Sequence, residues 1–95
     1  MAKRKVFISS AFSRKIKKLK KQEKKELDAA VLDIFSEPGI GEVKAGDLAG
    51  VFVYKFKMNK QLTLLSYTFD QSEINLLGLG SHQNFYRDLK NYRNA

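Results

Sequence analysis

The run Tyr54-Lys55-Phe56-Lys57 alternates aromatic and cationic side chains. In an extended conformation, alternate residues share a face, so Lys55 and Lys57 stand together about 7 Å apart along the strand. Two ammonium groups that close repel one another unless water or an anion lies between them. Lys60 follows three residues later and adds a third cation at the same end. The plain alternative is an exposed sheet face carrying solvated lysines.

A second cluster occupies Gly80-Ser-His-Gln-Asn-Phe-Tyr-Arg87, which contains the single His of the chain. A strand-to-helix junction leaves backbone N–H groups free, and helix N-termini favour anions. Near neutral pH, imidazole can act as acid or base, which suits His82 to proton transfer. Arg87 can grip a phosphate with its planar fork, and Tyr86 can stack on a base or donate through its hydroxyl. The competing reading makes His82 a cap or surface residue, and Tyr86 and Tyr92 half-buried helix side chains.

If the two clusters converge, Lys55, Lys57, His82, Tyr86 and Arg87 form a site suited to cleaving RNA without a metal. That reaction requires a base for the 2′-hydroxyl, cations for the charge building on phosphate, and an acid for the departing 5′-oxygen. The chain has one His and no Cys, and its carboxylates lack ligand spacing, so no metal and no cofactor is expected.

These residues need a scaffold, and the hydrophobic pattern suggests one. Lys5–Ile8 reads as a short edge or paired strand. Ser9, Ser10 and Ser13 offer caps for a helix starting near Ala11, whose apolar stripe is Phe12, Ile16 and Leu19. A second helix runs from about Gln22 to Phe35, with Leu27, Ala30, Val31, Ile34 and Phe35 on its buried side. The polar Lys20–Lys25 stretch fits either a tight turn or a continuous helix. A hairpin is preferred because it buries both stripes on one sheet.

Pro38, Gly39 and Gly41 end that helix, and Gly46 and Gly50 keep the path irregular until Val51. From there the period is two. Phe52, Tyr54, Phe56 and Met58 face one way, and Val51, Val53, Lys55 and Lys57 the other. Asn59-Lys60 is a hairpin turn. Strands over Gln61–Phe69 and Glu73–Leu79 follow, separated by a turn at Asp70–Ser72. Gly80-Ser81 breaks the last strand. A final helix from about Gln83 or Asn84 carries Phe85, Leu89 and Tyr92 on one stripe, with Tyr86, Lys90 and Arg93 on a basic one. The expected fold is therefore α+β in the order β-α-α-β-β-β-α. A three- to four-stranded antiparallel sheet is packed by an N-terminal helical hairpin, with a helix at the C-terminus.

The 95 residues suffice for a single domain over 1–95. With no Trp, the large apolar side chains available for a core are Phe7, Phe12, Phe35, Phe52, Phe56, Phe69 and Phe85. With no Cys, packing alone holds the fold, and thiol chemistry is excluded. No apolar run approaches a signal peptide or a membrane span, so a cytoplasmic location is expected. The net charge is +8 and unevenly spread: +10 over residues 1–25, −5 over 26–49 and +3 over 50–95. Such a surface favours nucleic acid or an acidic protein partner.

The element order, the approach Lys44-Ala-Gly-Asp-Leu-Ala-Gly50, the strand Val53-Tyr-Lys-Phe-Lys57 and the ending Leu77-Gly-Leu-Gly-Ser-His-Gln-Asn-Phe-Tyr-Arg87-Asp-Leu resemble the RelE/ParE superfamily of bacterial toxins. The resemblance spans nearly the whole chain and implies the toxin of a type II toxin–antitoxin module. In RelE-like members, basic side chains on the central strands act with an Arg or His and a Tyr near the C-terminal helix. They cleave mRNA on the ribosome and so inhibit translation.

Carried over, the catalytic set is Lys55, Lys57, His82, Tyr86 and Arg87, with Lys57 the better base. Lys60, Lys90, Tyr92 and Arg93 would bind RNA. Glu42 matches a carboxylate that related endonucleases place before the second strand. Many RelE-like nucleases have an Arg early in the second central strand. The corresponding run here, Gln61-Leu-Thr-Leu-Leu-Ser-Tyr67, has none, which leaves Lys60 or Arg87 to supply that cation. The ParE branch, which inhibits DNA gyrase through protein contact, is the alternative, and a non-catalytic RNA-binding domain is a third. The implied partners are an acidic antitoxin, the ribosome and mRNA. The toxin alone would be a monomer, and it would form a hetero-oligomer with the antitoxin.

Overall fold

The computed structural model describes residues 4–43 and 50–81. The chain opens with strand β1 (Lys5–Ile8), followed by helices α1 (Ser10–Lys17) and α2 (Lys21–Ser36). A 3-10 turn over Pro38–Ile40 leads into a short strand β2 (Glu42–Val43). Strands β3 (Phe52–Met58), β4 (Gln61–Phe69) and β5 (Glu73–Ser81) complete the described elements.

Local chemistry accounts for the helix ends. Ser9 caps α1 by accepting the Phe12 N–H at 3.0 Å, while its own hydroxyl donates to the Leu77 carbonyl at 2.7 Å. One serine thus starts the helix and pins it to β5. The break between the helices falls at residues 18–20, so Lys21–Lys25 belong to α2 and two separate helices form. Glu23 accepts the Lys20 N–H at 2.8 Å, which satisfies an otherwise orphaned donor at the start of α2.

The sheet has five strands in the order β1-β5-β4-β3-β2. The expected antiparallel meander is present as β3-β4-β5, but the sheet is mixed, because β1 pairs with β5 in parallel. Val6 lies opposite Ile74 and Ile8 opposite Leu76, so β1 continues the helix-covered face beyond β5. An unexpected short strand, β2, precedes the glycine-rich approach, with Glu42 paired to Val53 and Val43 to Phe52. The last strand also runs on through Gly80 and Ser81 rather than breaking there, because both pair with β4, opposite Leu64 and Thr63. The expected C-terminal helix lies outside the described residues.

The two sheet faces differ in depth. Phe12, Leu27, Ile34, Leu65, Tyr67, Ile74, Leu76 and Leu79 form the main core between helices and sheet. Phe52, Tyr54, Phe56 and Met58 pack against it, as the period-two pattern requires. Leu76 and Leu79 reach the same face although three residues apart, because the β4–β5 register shifts beyond Ser66 and Leu77 is the extra residue. The other face holds a smaller cluster of Val51, Val53 and Leu64 with Leu77 against it. Phe7 does not join the core: it is 48% exposed, since β1 lies at the sheet edge and alternation turns Phe7 away from the helices.

Among the described residues, no helix is long and apolar enough to cross a membrane.

Candidate functional site

Lys55 and Lys57 share the sheet face opposite the helices. Their strand alternates Phe52, Tyr54, Phe56 and Met58 inward, which leaves Val53, Lys55 and Lys57 on the far side. Across the ladder, Lys55 pairs with Leu64 and Lys57 with Leu62. Both lysines are exposed, as is Leu62 at 43%, whereas Val53 and Leu64 are buried. The face therefore passes from a covered apolar end to an open cationic end.

Glu42 joins the same face, because directly opposed residues of an antiparallel pair project together and its partner is Val53. Lys55 stands diagonal to it, at a spacing of about 7–8 Å between backbones. The carboxylate is held there by a device that no local pattern announces. The buried Tyr67 hydroxyl donates to the Pro38 carbonyl and accepts the Gly41 N–H at 3.0 Å, clamping the loop that delivers Glu42 to β2. Burial pushes the Tyr67 phenol above its ordinary pKa, and the Gly41 N–H pulls it part of the way back. A Cβ on Gly41 would sit 2.5 Å from the Tyr67 hydroxyl oxygen. Gly41 itself has an extended backbone that any residue can adopt. The glycine is there to let the phenol approach.

Lys60 sits in the β3–β4 turn, where both Asn59 (φ 53°) and Lys60 (φ 64°) are left-handed, the pattern of a two-residue type I′ hairpin. Asn59 tolerates this conformation, whereas Lys60 adopts it at a steric cost. Glu26 on α2 accepts the Asn59 N–H at 3.0 Å and so ties the turn to the helix. The sequence shows no sign of this tie, because its partners are 33 positions apart. A second tie joins the same helix and strand: the Tyr54 hydroxyl donates to Asp33 at 3.0 Å. Burial first, then this bond and the Asp33 charge, raise the Tyr54 pKa.

Strand β5 ends at Ser81, opposite Thr63, whose neighbour Leu62 pairs with Lys57. The chain thus leaves the sheet at the end that carries Lys57 and the Lys60 turn, two strands away, or about 10 Å. His82, Tyr86, Arg87, Lys90, Tyr92 and Arg93 lie outside the described residues. Among those described, no three His, Cys, Asp or Glu side chains gather closely enough to hold a metal ion. A cleft of about 180 Å³ opens on the helix side instead, with Lys15, Lys18, Glu23 and Gln61 on its wall. Lys55 and Lys57 do not line it.

The comparisons with known proteins agree with this architecture. Among curated protein sequences, nothing matches. Among solved structures, the chain resembles the E. coli toxin RelE, in a doubly substituted form in the free state, with a TM-score of 0.72 at 14% identity. That likeness covers 99% of this chain and 98% of the other, and it concerns the fold. The family profile described as ParE-like toxin of type II bacterial toxin-antitoxin system matches residues 6–90. The chain belongs to this family: it is a type II toxin of the RelE/ParE superfamily.

Proposed function

We propose that this toxin is a metal-independent endoribonuclease that cleaves mRNA on the ribosome and thereby stops translation in the cytoplasm. The observation that carries the proposal is the register of β3. It sets Lys55 and Lys57 on an open sheet face, with Glu42 on the same face and the chain leaving β5 for His82 at the Lys57 end.

In this mechanism the neutral amine form of Lys57 takes the proton from the 2′-hydroxyl and becomes an ammonium, while the resulting oxygen attacks the adjacent phosphorus. Lys55 and Arg87 stabilise the charge that builds on the phosphoryl oxygens. His82 or Tyr86 returns a proton to the 5′-oxygen as its bond to phosphorus breaks, leaving a cyclic phosphate and a free 5′-hydroxyl. Lys60, Lys90 and Arg93 hold neighbouring phosphates, Tyr92 stacks on a base, and Glu42 orients a strand lysine. An acidic antitoxin would neutralise the toxin by covering its basic surface.

The lack of an Arg early in β4 favours a second reading, inhibition of DNA gyrase by protein contact. A translating ribosome extract separates the two. Cuts within mRNA codons, lost in Lys57→Ala and Arg87→Ala variants that still fold, support the nuclease. Intact mRNA together with gyrase-trapped DNA breaks would overturn it.

A further inference from the structure

The cleft on the helix side lies where α1 ends, α2 begins and the β3–β4 hairpin closes, and it holds about 180 Å³. Part of its lining is apolar: Leu79 is buried, and Leu19 and Met58 are half-buried. Glu23 and Gln61 line it as hydrogen-bonding groups, and Lys15 and Lys18 as exposed cations. An apolar lining with a few polar groups is the make-up of a small-ligand site.

Positive charge gathers around this cleft beyond what the helices need. The cations in the last turn of α1, Arg14, Lys15 and Lys17, meet the negative end of its dipole and are favoured there. At the start of α2, Lys20 and Lys21 meet the positive end, where acids are favoured, and only Glu23 answers that preference. Helix stability therefore does not account for this second group, whereas an anion held beside it does. Lys60, next to Gln61 in the chain, adds a further cation at the hairpin.

The rest of the lining selects the class of anion. A bare phosphate would use the lysines and leave the apolar side chains idle, and an acidic peptide would be repelled by Glu23. A nucleotide uses every part. Its base covers Leu19, Met58 and Leu79, an exocyclic amine on the base donates to the Glu23 carboxylate or the Gln61 side-chain carbonyl, and its phosphate lies against Lys15 and Lys18. Glu23 accepts the Lys20 N–H at 2.8 Å and keeps lone pairs for this second bond.

We propose that this cleft binds a nucleotide of single-stranded RNA, with preference for a base that carries an exocyclic amine. Lys57 and Met58 are consecutive in β3 and face opposite ways, so the cleft and the catalytic face meet at the same end of the sheet. RNA crossing the β3–β4 turn passes from Lys57 by way of Lys60 to the cleft. The inference rests on the reading that RNA is the target and adds a base-reading subsite to it; cleavage itself is not required.

The test follows backbone amide resonances of the toxin carrying Lys57→Ala during titration with cytidine monophosphate, uridine monophosphate and inorganic phosphate. The cytidine nucleotide should shift Leu19, Thr63 and Gly80, and bind roughly fivefold more tightly than the uridine one, the worth of one net hydrogen bond. Equal affinity for the two nucleotides, or shifts of the same size with inorganic phosphate, overturns the proposal. Replacing Lys15 and Lys18 together by Ala should weaken binding of a short single-stranded RNA roughly tenfold and flatten its salt dependence by about 0.7 per lysine lost. Both side chains are exposed, so the fold survives their loss. Unchanged RNA affinity in that variant overturns the proposal, as does a cleft whose amides respond to a co-expressed antitoxin but to no nucleotide. The nuclease reading fails separately: intact mRNA in a ribosome extract, with the cytidine nucleotide still bound in the cleft, refutes cleavage and leaves the subsite standing.

Discussion

Gly41→Ala should destabilise the toxin through one atom, the Tyr67 hydroxyl oxygen. The backbone at Gly41 is extended, so alanine brings no torsional strain. Its Cβ would lie 2.5 Å from that oxygen and 3.0 Å from the nearest ring carbon. The ring has nowhere to retreat, because Tyr67 is fully buried and packs beside Phe52, with ring centroids 5.7 Å apart. Overpacking of this kind costs about 1–3 kcal/mol. Tyr67→Phe alone loses the bonds to Pro38 and Gly41, at about 1 kcal/mol each. The two costs should not add. With the hydroxyl gone, the worst contact of the new methyl disappears and the bond to the Gly41 N–H is already lost.

Urea unfolding of both single variants and the double variant measures the coupling. The double variant should be at least about 1 kcal/mol more stable than additivity requires. Additivity within about 0.5 kcal/mol, the scatter seen for independent sites, would refute the claim that the phenol dictates the glycine.

Three further outcomes follow from the same geometry. Lys60→Gly should stabilise the fold by about 0.5–1 kcal/mol in thermal unfolding, since it relieves a left-handed non-glycine residue in a type I′ turn. If Lys60 also holds RNA, the more stable variant cleaves less. Asp70 accepts the Ser72 N–H and hydroxyl and the Glu73 N–H, which hold its pKa below the model-peptide value of 3.8. Its contribution is therefore complete above that value and lost as pH falls through the lower folded one. An acid titration should show wild type more stable than Asp70→Asn above that window, with the gap closing as pH falls through it. Tyr54 and Tyr67 have raised pKa values, so their stabilisation is complete below pH 10.0 and declines as pH climbs through the folded values. Tyr54→Phe should flatten part of the alkaline loss of stability, and an unchanged alkaline limb would refute the assignment.

Periodicity in the sequence carried most of the elements. The stripes Phe12-Ile16-Leu19 and Leu27 through Phe35 do pack on the sheet, and the alternation in β3 does separate Tyr54 and Phe56 from Lys55 and Lys57. Those features depend on neighbours within a few positions, and local repeat is what a sequence displays. Ser9 as a cap and Asn59-Lys60 as a turn were legible for the same reason. The two-residue β2 is too short to show a period, and β1 gives no hint that it lies parallel to β5, because a strand's neighbour is set by packing across the whole sheet.

The candidate site divides along the same line. Residue type and alternation placed Lys55 and Lys57 on one face, because the pleat leaves them no other choice. Tertiary structure alone decided that this face stays open at the Lys57 end, that Glu42 shares it through its pairing with Val53, and that β5 delivers the chain to the same end. The ties that set this geometry join Tyr67 to Gly41 and Glu26 to Asn59, 26 and 33 residues apart. Bonds at that range exist only after the sheet and helices have packed, so no local spacing could have encoded their presence.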